Sequence, residues 1–268
     1  MKFASILLLT CATVAAQPAN QLTSAEKAAG WKLLFDGKTY ANWVDPTKKS
    51  PPGDAWSIED GCLKANAKPH IREDLFSVEK FRDFELQFDW KVAKASNSGV
   101  KYRIQKAIPV GPKSAYPGAK RFEDTVLAEL KNPHTRRQDQ NEEYVVGFEY
   151  QVIDDLDNKD ARSTPFHTAG ALYDMVAPSN VRLKPVGEFN HSTIVVKGNH
   201  VEHWLNGVKV VDAMLDSDAV KAASAKRWTQ GSAMYDLLVK QPQKLCPISL
   251  QNHDDAAWFR NIKIRRLD

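Results

Sequence analysis

The sequence predicts an all-β protein in which two antiparallel sheets pack face to face as a sandwich. Three observations support this prediction: short segments alternate apolar and polar residues, tight-turn dipeptides separate them, and helical periodicity is scarce after residue 30. An alternating strand has one apolar face, which must be buried against a second sheet. With 43% hydrophobic and 26% charged residues, the 268-residue chain has an ordinary globular composition, and its length suits one large β domain.

Residues 1–16 are predicted to be a secretory signal peptide that precedes the fold. Lys2 provides a basic start, residues 4–14 are mainly apolar, and the small residues at 14–16 form a cleavage site. The apolar run is too short to cross a bilayer as a helix. We therefore expect a mature protein in the periplasm or outside the cell, without stable membrane insertion. Residues 17–29 are predicted to be a linker with a short helix capped by Ser24.

Strand-like segments fill most of the predicted sandwich domain, residues 30–268. In chain order they are WKLLFDG (31–37), WSIEDGCLKA (56–65), FELQFDWKV (84–92), SGVKYRI (98–104), GFEYQVIDD (147–155), STIVVKGNHVEHWLNGVKVVD (192–212), CPISLQNH (246–253) and AWFRNIKIRRL (257–267). Asp-Gly at 60–61 and Asn-Gly at 206–207 predict tight hairpins, because both dipeptides favour the backbone conformations of two-residue turns.

Two regions interrupt the strand pattern and are predicted to be insertions at the rim of the sandwich. Residues 106–142 are rich in Pro, Lys, Arg, Asp and Gln, and residues 214–241 have a polar, helical pattern. Loops at the rim of a scaffold often determine specificity.

Composition and missing motifs exclude several classes of function. Subtracting 33 acidic from 37 basic residues gives +4, too mild a charge for a nucleic-acid-binding protein. The sequence has no phosphate loop, dinucleotide fingerprint, His-Glu-x-x-His, Cys-x-x-Cys or Gly-x-Ser-x-Gly motif, and its seven scattered His argue against a structural zinc site. Cys62 and Cys246 could form one disulfide or remain two buried thiols.

Polar residues on the outward strand faces are the candidates for chemistry. Three sets share a face by period-two alternation: Glu149 with Gln151, Lys101 with Arg103, and Ser249 with Gln251 and His253. If these faces belong to one concave sheet, an acid, amides, an imidazole and a guanidinium come together. The alternative is the solvated polar face that any sandwich sheet has. The five-residue spacing of Glu149 and Asp154 puts them on opposite faces, which disfavours the carboxylate pair of an ordinary glycosidase.

These segments in this order, together with AGALYDMVAP at residues 169–178, resemble the 3-keto-disaccharide hydrolase domain family from about residue 30 to residue 267. The resemblance implies a jelly-roll sandwich of the concanavalin A type, with 3-keto-glycoside lyase and hydratase activity on a sugar already oxidised at carbon 3. The insertion at 106–142 separates two of the family's segments more widely than usual, and because this loop could cap the groove, the resemblance leaves the choice of substrate open.

Such a reaction needs a base, an acid and a donor to the enolate oxygen. Face-sharing and motif position suggest Glu149 or His253 as the base with the other as the acid, and Arg103 as the group that stabilises the enolate. A bound divalent metal ion could share that last task. Predicted substrate-binding residues are Gln151, Gln251, Asn97, Tyr173, Lys101, Asp154 and Trp204.

Structural roles compete with some of these assignments. Asp154 could simply cap a turn, and Trp204 or Tyr150, both candidate stacking platforms, could be packing residues. For the whole chain, the alternatives are a carbohydrate-binding module without catalysis and a conventional glycoside hydrolase acting on unoxidised sugars.

Overall fold

The computed structural model describes residues 18–45, 53–133 and 141–268, and these form an antiparallel β-sandwich. The predicted fold class is therefore confirmed. The predicted signal peptide, residues 1–16, lies outside the described residues.

The first sheet, called here the large sheet, contains eight strands. In chain order they are β1 (Lys32–Leu33), β3 (Trp56–Glu59), β4 (Cys62–Ala65), β6 (Phe84–Val92), β9 (Asn190–Lys197), β10 (His200–Leu205), β11 (Val208–Met214) and β13 (Ala257–Arg266). The spatial order is β11-β10-β9-β6-β13-β4-β3, with β1 also paired to β13.

The second sheet, called here the small sheet, contains five strands. They are β2 (Trp43–Val44), β5 (Leu75–Ser77), β7 (Asn97–Val110), β8 (Glu142–Ile153) and β12 (Ser249–Leu250). The spatial order is β2-β5-β12-β7-β8.

The core lies between the two sheets and is built from the apolar side of each alternating strand. In β6 every second residue from Phe84 to Val92 is buried, as the sequence pattern predicts. Aromatic rings join the sheets across this interface. The rings of Phe88 and Tyr150 lie 5.6 Å apart, and those of Phe84 and Tyr102 lie 6.5 Å apart, both in edge-to-face geometry.

Tight turns join neighbouring strands where the sequence predicts them. Asn206 and Gly207 connect β10 to β11 with φ of 49° and 81°, the left-handed pair that a type I′ hairpin needs. Asp60 and Gly61 connect β3 to β4 in the same way, with φ of 49° and 70°.

The two predicted insertions form one layer with its own small core. β7 and β8 extend the sheet into the first insertion, which then adds a 3₁₀ turn (Lys113–Ala115) and helix α2 (Phe122–Lys131). The second insertion forms helices α4 (Asp218–Trp228) and α5 (Ala233–Lys240). Their buried residues make a separate hydrophobic cluster: Ile108, Val110, Tyr116, Val126, Val146, Trp228, Met234 and Leu238. We call this part of the molecule the insertion layer.

Short helices complete the fold. Helix α1 (Ser24–Ala28) is capped by Thr23 rather than by Ser24, because Thr23 and Glu26 form a reciprocal capping box. Helix α3 (Lys159–Ser163) and a 3₁₀ turn (Pro165–His167) follow β8.

The two cysteines of the sandwich, Cys62 and Cys246, are both free and buried, so the two-thiol alternative is the one observed. None of the helices in the described ranges combines the length and the apolar character needed to cross a membrane.

Candidate active site

A pocket of about 510 Å³ lies over the polar face of the small sheet, within the size range of small-molecule sites. Seven predicted site residues line it: Glu149, His253, Gln151, Gln251, Asn97, Tyr173 and Lys101. Three other predicted residues, Arg103, Asp154 and Trp204, do not.

Strand register brings the central polar residues together. Lys101 of β7 pairs with Glu149 of β8 on one side and with Ser249 of β12 on the other. Gly99, the partner of Gln151, leaves space for the Glu149 side chain, since a Cβ at this position would stand 2.2 Å from Glu149 Oε1. The close approach therefore requires glycine here.

Two amides hold the Glu149 carboxylate. In the orientation that satisfies both side chains, the amide nitrogens of Gln151 and Gln251 donate to Glu149 Oε1 at 3.2 and 3.3 Å. Burial raises the pKa of Glu149 to about 7, although the positive charge of Lys101 opposes this rise. A carboxylate with a pKa near neutrality is well suited to general base catalysis.

Lys101 and Asp74 form an ion pair on the pocket floor. Lys101 Nζ lies 3.4 Å from Asp74 Oδ2, which also accepts a hydrogen bond from Ser249 Oγ at 3.2 Å. Burial alone would lower the pKa of Lys101, but the carboxylates of Asp74 and Glu149 raise it instead. The pocket thus contains a fixed ammonium group beside Glu149.

His253 reaches the pocket from a loop. The predicted strand ends at Leu250, so the prediction that Ser249, Gln251 and His253 share a strand face is wrong beyond that residue. Gln251 still donates its backbone N–H to Gly99 O at 2.9 Å, which keeps the chain beside β7. Although the ring of His253 is exposed to the pocket, the surrounding protein displaces water, and Arg72 and Lys101 add positive charge. These effects lower the pKa of His253 to about 4. The imidazole is therefore neutral at neutral pH.

Tyr173 belongs to a charged network along one wall. Its hydroxyl donates to Asp160 Oδ2 at 3.1 Å, and Asp160 Oδ1 lies 2.7 Å from His167 Nδ1. His167 Nε2 lies 3.3 Å from Asp174, and the ring of His167 stacks on that of Tyr173 at 4.4 Å. Although partial burial opposes it, the hydrogen bonds that His167 donates to the carboxylates of Asp160 and Asp174 raise the pKa of His167 to about 9. The network holds Tyr173 in place from two sides.

Arg103 lies away from the pocket, so its predicted role in stabilising an enolate is wrong. The register of β7 shifts after Tyr102, and Arg103 adopts a φ of 52°, which breaks the alternation that paired it with Lys101. Its guanidinium donates to the carbonyls of Gly198 and Lys244, both at 2.6 Å, and to Asp83 at 3.2 Å. Arg103 joins surface loops instead.

Asp154 and Trp204 are also outside the pocket. Asp154 caps a turn, since its carboxylate accepts the backbone N–H groups of Ala95 at 2.8 Å and Leu156 at 3.0 Å. Trp204 lies on β10 of the large sheet and donates its indole N–H to Glu202 at 2.8 Å. Tyr150, the other candidate platform, is fully buried in the core.

Several pocket residues have no signal in the sequence pattern. Asp74 lies just before the short strand β5, in a segment where the alternation is too brief to assign a face. Arg72, Phe122 and Arg227 come from a loop and from the insertion layer, and only the tertiary fold brings them to the pocket.

The structure offers one grouping suited to a metal ion within the described ranges, and it lies outside the pocket. His200, Glu202 and Asp212 are on the outer side of the large sheet, where Lys209 forms ion pairs with both acids. A cation at that point would compete with the ammonium of Lys209.

A family model and a named relative indicate one family, and a solved structure adds a likeness in fold. A family model described as the 3-keto-alpha-glucoside-1,2-lyase-like domain matches residues 30–265. A Bacteroides thetaiotaomicron protein named 3-keto-disaccharide hydrolase is 30% identical over 255 residues, which cover 90% of this chain and 80% of the relative. A crystal structure of a "putative glycosyl hydrolase" from Parabacteroides distasonis superposes with a TM-score of 0.70 at 27% identity, covering 94% of this chain and all of that one.

Proposed function

This chain belongs to the 3-keto-alpha-glucoside-1,2-lyase-like family, and on that basis we propose that it cleaves glycosides whose sugar is oxidised at carbon 3. Family membership supports a carbohydrate hydrolase, and the pocket suggests how it would act. The observation that carries the proposal is Glu149, a half-buried carboxylate with a pKa near 7, held by two amides beside the Lys101 ammonium.

The first step would be removal of the proton on carbon 2. The ketone at carbon 3 acidifies this hydrogen, because the electron pair left behind can spread onto the ketone oxygen. The Glu149 carboxylate takes the proton, and the pair forms the carbon 2–carbon 3 double bond of an enolate. Since Glu149 is a stronger base than an imidazole whose pKa is about 4, we assign the base to Glu149 and not to His253.

Lys101 replaces Arg103 as the group that stabilises the enolate. Its ammonium is fixed by Asp74 and lies within 3.1 Å of the Gln251 amide that also contacts Glu149. A preorganised positive charge in a partly dehydrated pocket stabilises a developing oxyanion without reorganising during the reaction.

Elimination and hydration would complete a net hydrolysis. The enolate electrons re-form the ketone and the carbon 1–carbon 2 double bond while the bond from carbon 1 to the leaving oxygen breaks, and that oxygen takes the proton that Glu149 removed from carbon 2. Water then adds its oxygen to carbon 1 of the unsaturated ketone, and Glu149, again a carboxylate, takes a proton from this water and passes it to carbon 2. In this scheme neutral His253 and Tyr173 hydrogen-bond the leaving oxygen and the hydroxyls, with Asn97 and Gln151 beside them. The predicted signal peptide adds the proposal that the reaction takes place outside the cytoplasm.

One experiment separates this function from its alternatives. Purified protein is incubated in D₂O with a disaccharide and, separately, with the same disaccharide oxidised at carbon 3. We expect cleavage of the oxidised form alone, with deuterium entering carbon 2, measured by NMR and mass spectrometry. Equal attack on both disaccharides would indicate a conventional hydrolase, and saturable binding without product would indicate a binding module.

A further inference from the structure

A second cavity of about 320 Å³ adjoins the pocket on the side of the insertion layer. Three residues, Arg72, Phe122 and Glu142, line both spaces. Arg72 and Glu142 form an ion pair, so this pair and the Phe122 ring stand at the boundary between the two cavities. The two cavities are therefore neighbours, and a ligand longer than one sugar that reached from the pocket into the second cavity would pass these three side chains.

Positive charge dominates the second cavity. Among the described residues, its lining includes Arg72, Lys113 and Arg121 against one carboxylate, that of Glu142, which forms an ion pair with Arg72. Arg121 lies 3.8 Å from Asp124 at a largely exposed position, so that pair contributes little. Lys113 has no ion-pair partner in the part of the chain that the structure describes. Two cations are thus left facing the space.

Phe122 provides an apolar surface at the entrance to the same cavity. Its side chain is 39% exposed, and its ring packs edge to face on Tyr144 with centroids 5.5 Å apart. The apolar face of a sugar ring could lie against this surface. An aromatic ring beside two cations suits a ligand that combines a sugar ring with a negative charge.

We infer that the second cavity binds the leaving group of the substrate, and that this group is a sugar carrying a carboxylate, a uronic acid. The inference rests on the proposed function, which places the reacting ring in the larger pocket beside Glu149. The planar guanidinium of Arg121 matches a carboxylate in shape and hydrogen-bonding geometry, and Lys113 adds a second charge.

The test uses two 3-keto-disaccharides that differ only at carbon 6 of the leaving sugar, a carboxylate in one and a hydroxymethyl group in the other. We expect kcat/KM to favour the carboxylate about 5- to 10-fold, the size expected for two partly exposed ion pairs. The double substitution Lys113→Gln with Arg121→Gln should abolish this preference through KM. It should lower kcat/KM for the carboxylate substrate more than for the neutral one, because the ion pairs are lost only with the charged ligand.

Lys120→Gln is the matched control, because Lys120 is an exposed cation of the same layer that does not line the cavity. The Lys120→Gln variant should keep the preference for the carboxylate substrate. In the parent protein, 0.5 M salt should reduce this preference, because salt screens the ion pairs. An equal or greater kcat/KM for the neutral substrate in the parent would overturn the inference.

Calorimetric binding to the Glu149→Gln variant separates this inference from the proposed function. Tighter binding of the carboxylate disaccharide, reversed by the Lys113 and Arg121 substitutions, supports the subsite even if the parent turns over neither compound. Equal affinity for the two disaccharides overturns it, whether or not turnover occurs.

Discussion

The two sheets carry similar polar residues on their outward faces, yet they keep them in different surroundings. On the large sheet Arg265 and Glu85 form an ion pair with 37% and 16% of their side chains exposed. On the small sheet the side chains of Lys101 and Asp74 are only 4% and 2% exposed. Water screens the first pair, whereas the second depends on its protein partners for solvation. The same alternation thus yields a solvated surface on one sheet and a candidate active site on the other.

The difference arises from what covers the small sheet. After β8 the chain turns back, and Gly170, Ala171 and Tyr173 form backbone hydrogen bonds with Glu149 and Gln151. This segment closes the free edge of β8 and forms one wall of the pocket. The insertion layer adds Phe122 and Arg227 to the lining, and the guanidinium of Arg227 packs on the ring of Tyr173. These segments exclude water from the pocket, and this exclusion raises the pKa of Glu149.

Removing one outward carboxylate from each sheet should give the largest difference in kcat/KM between two matched variants. We expect Glu149→Gln to lower kcat/KM by about 10²–10⁴-fold, the usual contribution of a general base. Glu85→Gln removes an acid of the same kind from the solvated face and should change kcat/KM less than about twofold. Steady-state kinetics on a 3-keto-disaccharide, with thermal melting to verify folding, makes the comparison. Comparable losses in the two variants would remove the functional distinction between the sheets.

Breaking one ion pair in each sheet should lower the free energy of unfolding by very different amounts. Lys101→Met leaves the Asp74 carboxylate buried without its cation, and we expect a loss of about 3–5 kcal/mol in the free energy of unfolding. Arg265→Met breaks the exposed pair and should lower it by about 1 kcal/mol at most. Urea unfolding measures both changes. Adding Asp74→Asn to Lys101→Met should recover part of the loss, and a double variant no more stable than the single one would contradict this explanation.

The pH dependence of kcat/KM should be a smaller effect than these two, and it should come from the small sheet alone. Because the base must be ionised, kcat/KM should fall about tenfold per pH unit below pH 7, the pKa of Glu149. A flat profile between pH 5 and pH 8 would contradict the assignment of Glu149 as the base.

The raised pKa of Glu149 also predicts that the free energy of unfolding changes with pH. Its pKa rises from 4.5 to about 7 on folding, so its stabilising contribution is complete below pH 4.5 and is lost as the pH rises through 7. Glu149→Gln should therefore gain stability relative to the parent between pH 5 and pH 8, while Glu85→Gln should not. Urea unfolding at the two pH values provides the measurement.

Period-two alternation explains what could be predicted from the sequence. It assigned Glu149 and Gln151 to the outward face of one strand and Lys101 to that of another, and the fold places all three in the pocket. It failed at Arg103, because a bulge after Tyr102 adds residues to β7 that a regular strand would not contain. Alternation also cannot show which polar face is covered, since that depends on segments distant in the sequence. Arg227 was missed for this reason, whereas Asp74 was missed because the alternation beside the short strand β5 is too brief to assign a face.

The separate core of the insertion layer has a consequence for how the site could diversify. Because Trp228, Met234 and their neighbours pack mainly with one another, substitutions there need not disturb the packing between the two sheets. Residues of the layer that line the site can thus change while the two sheets keep their packing, and one framework can accommodate different leaving groups.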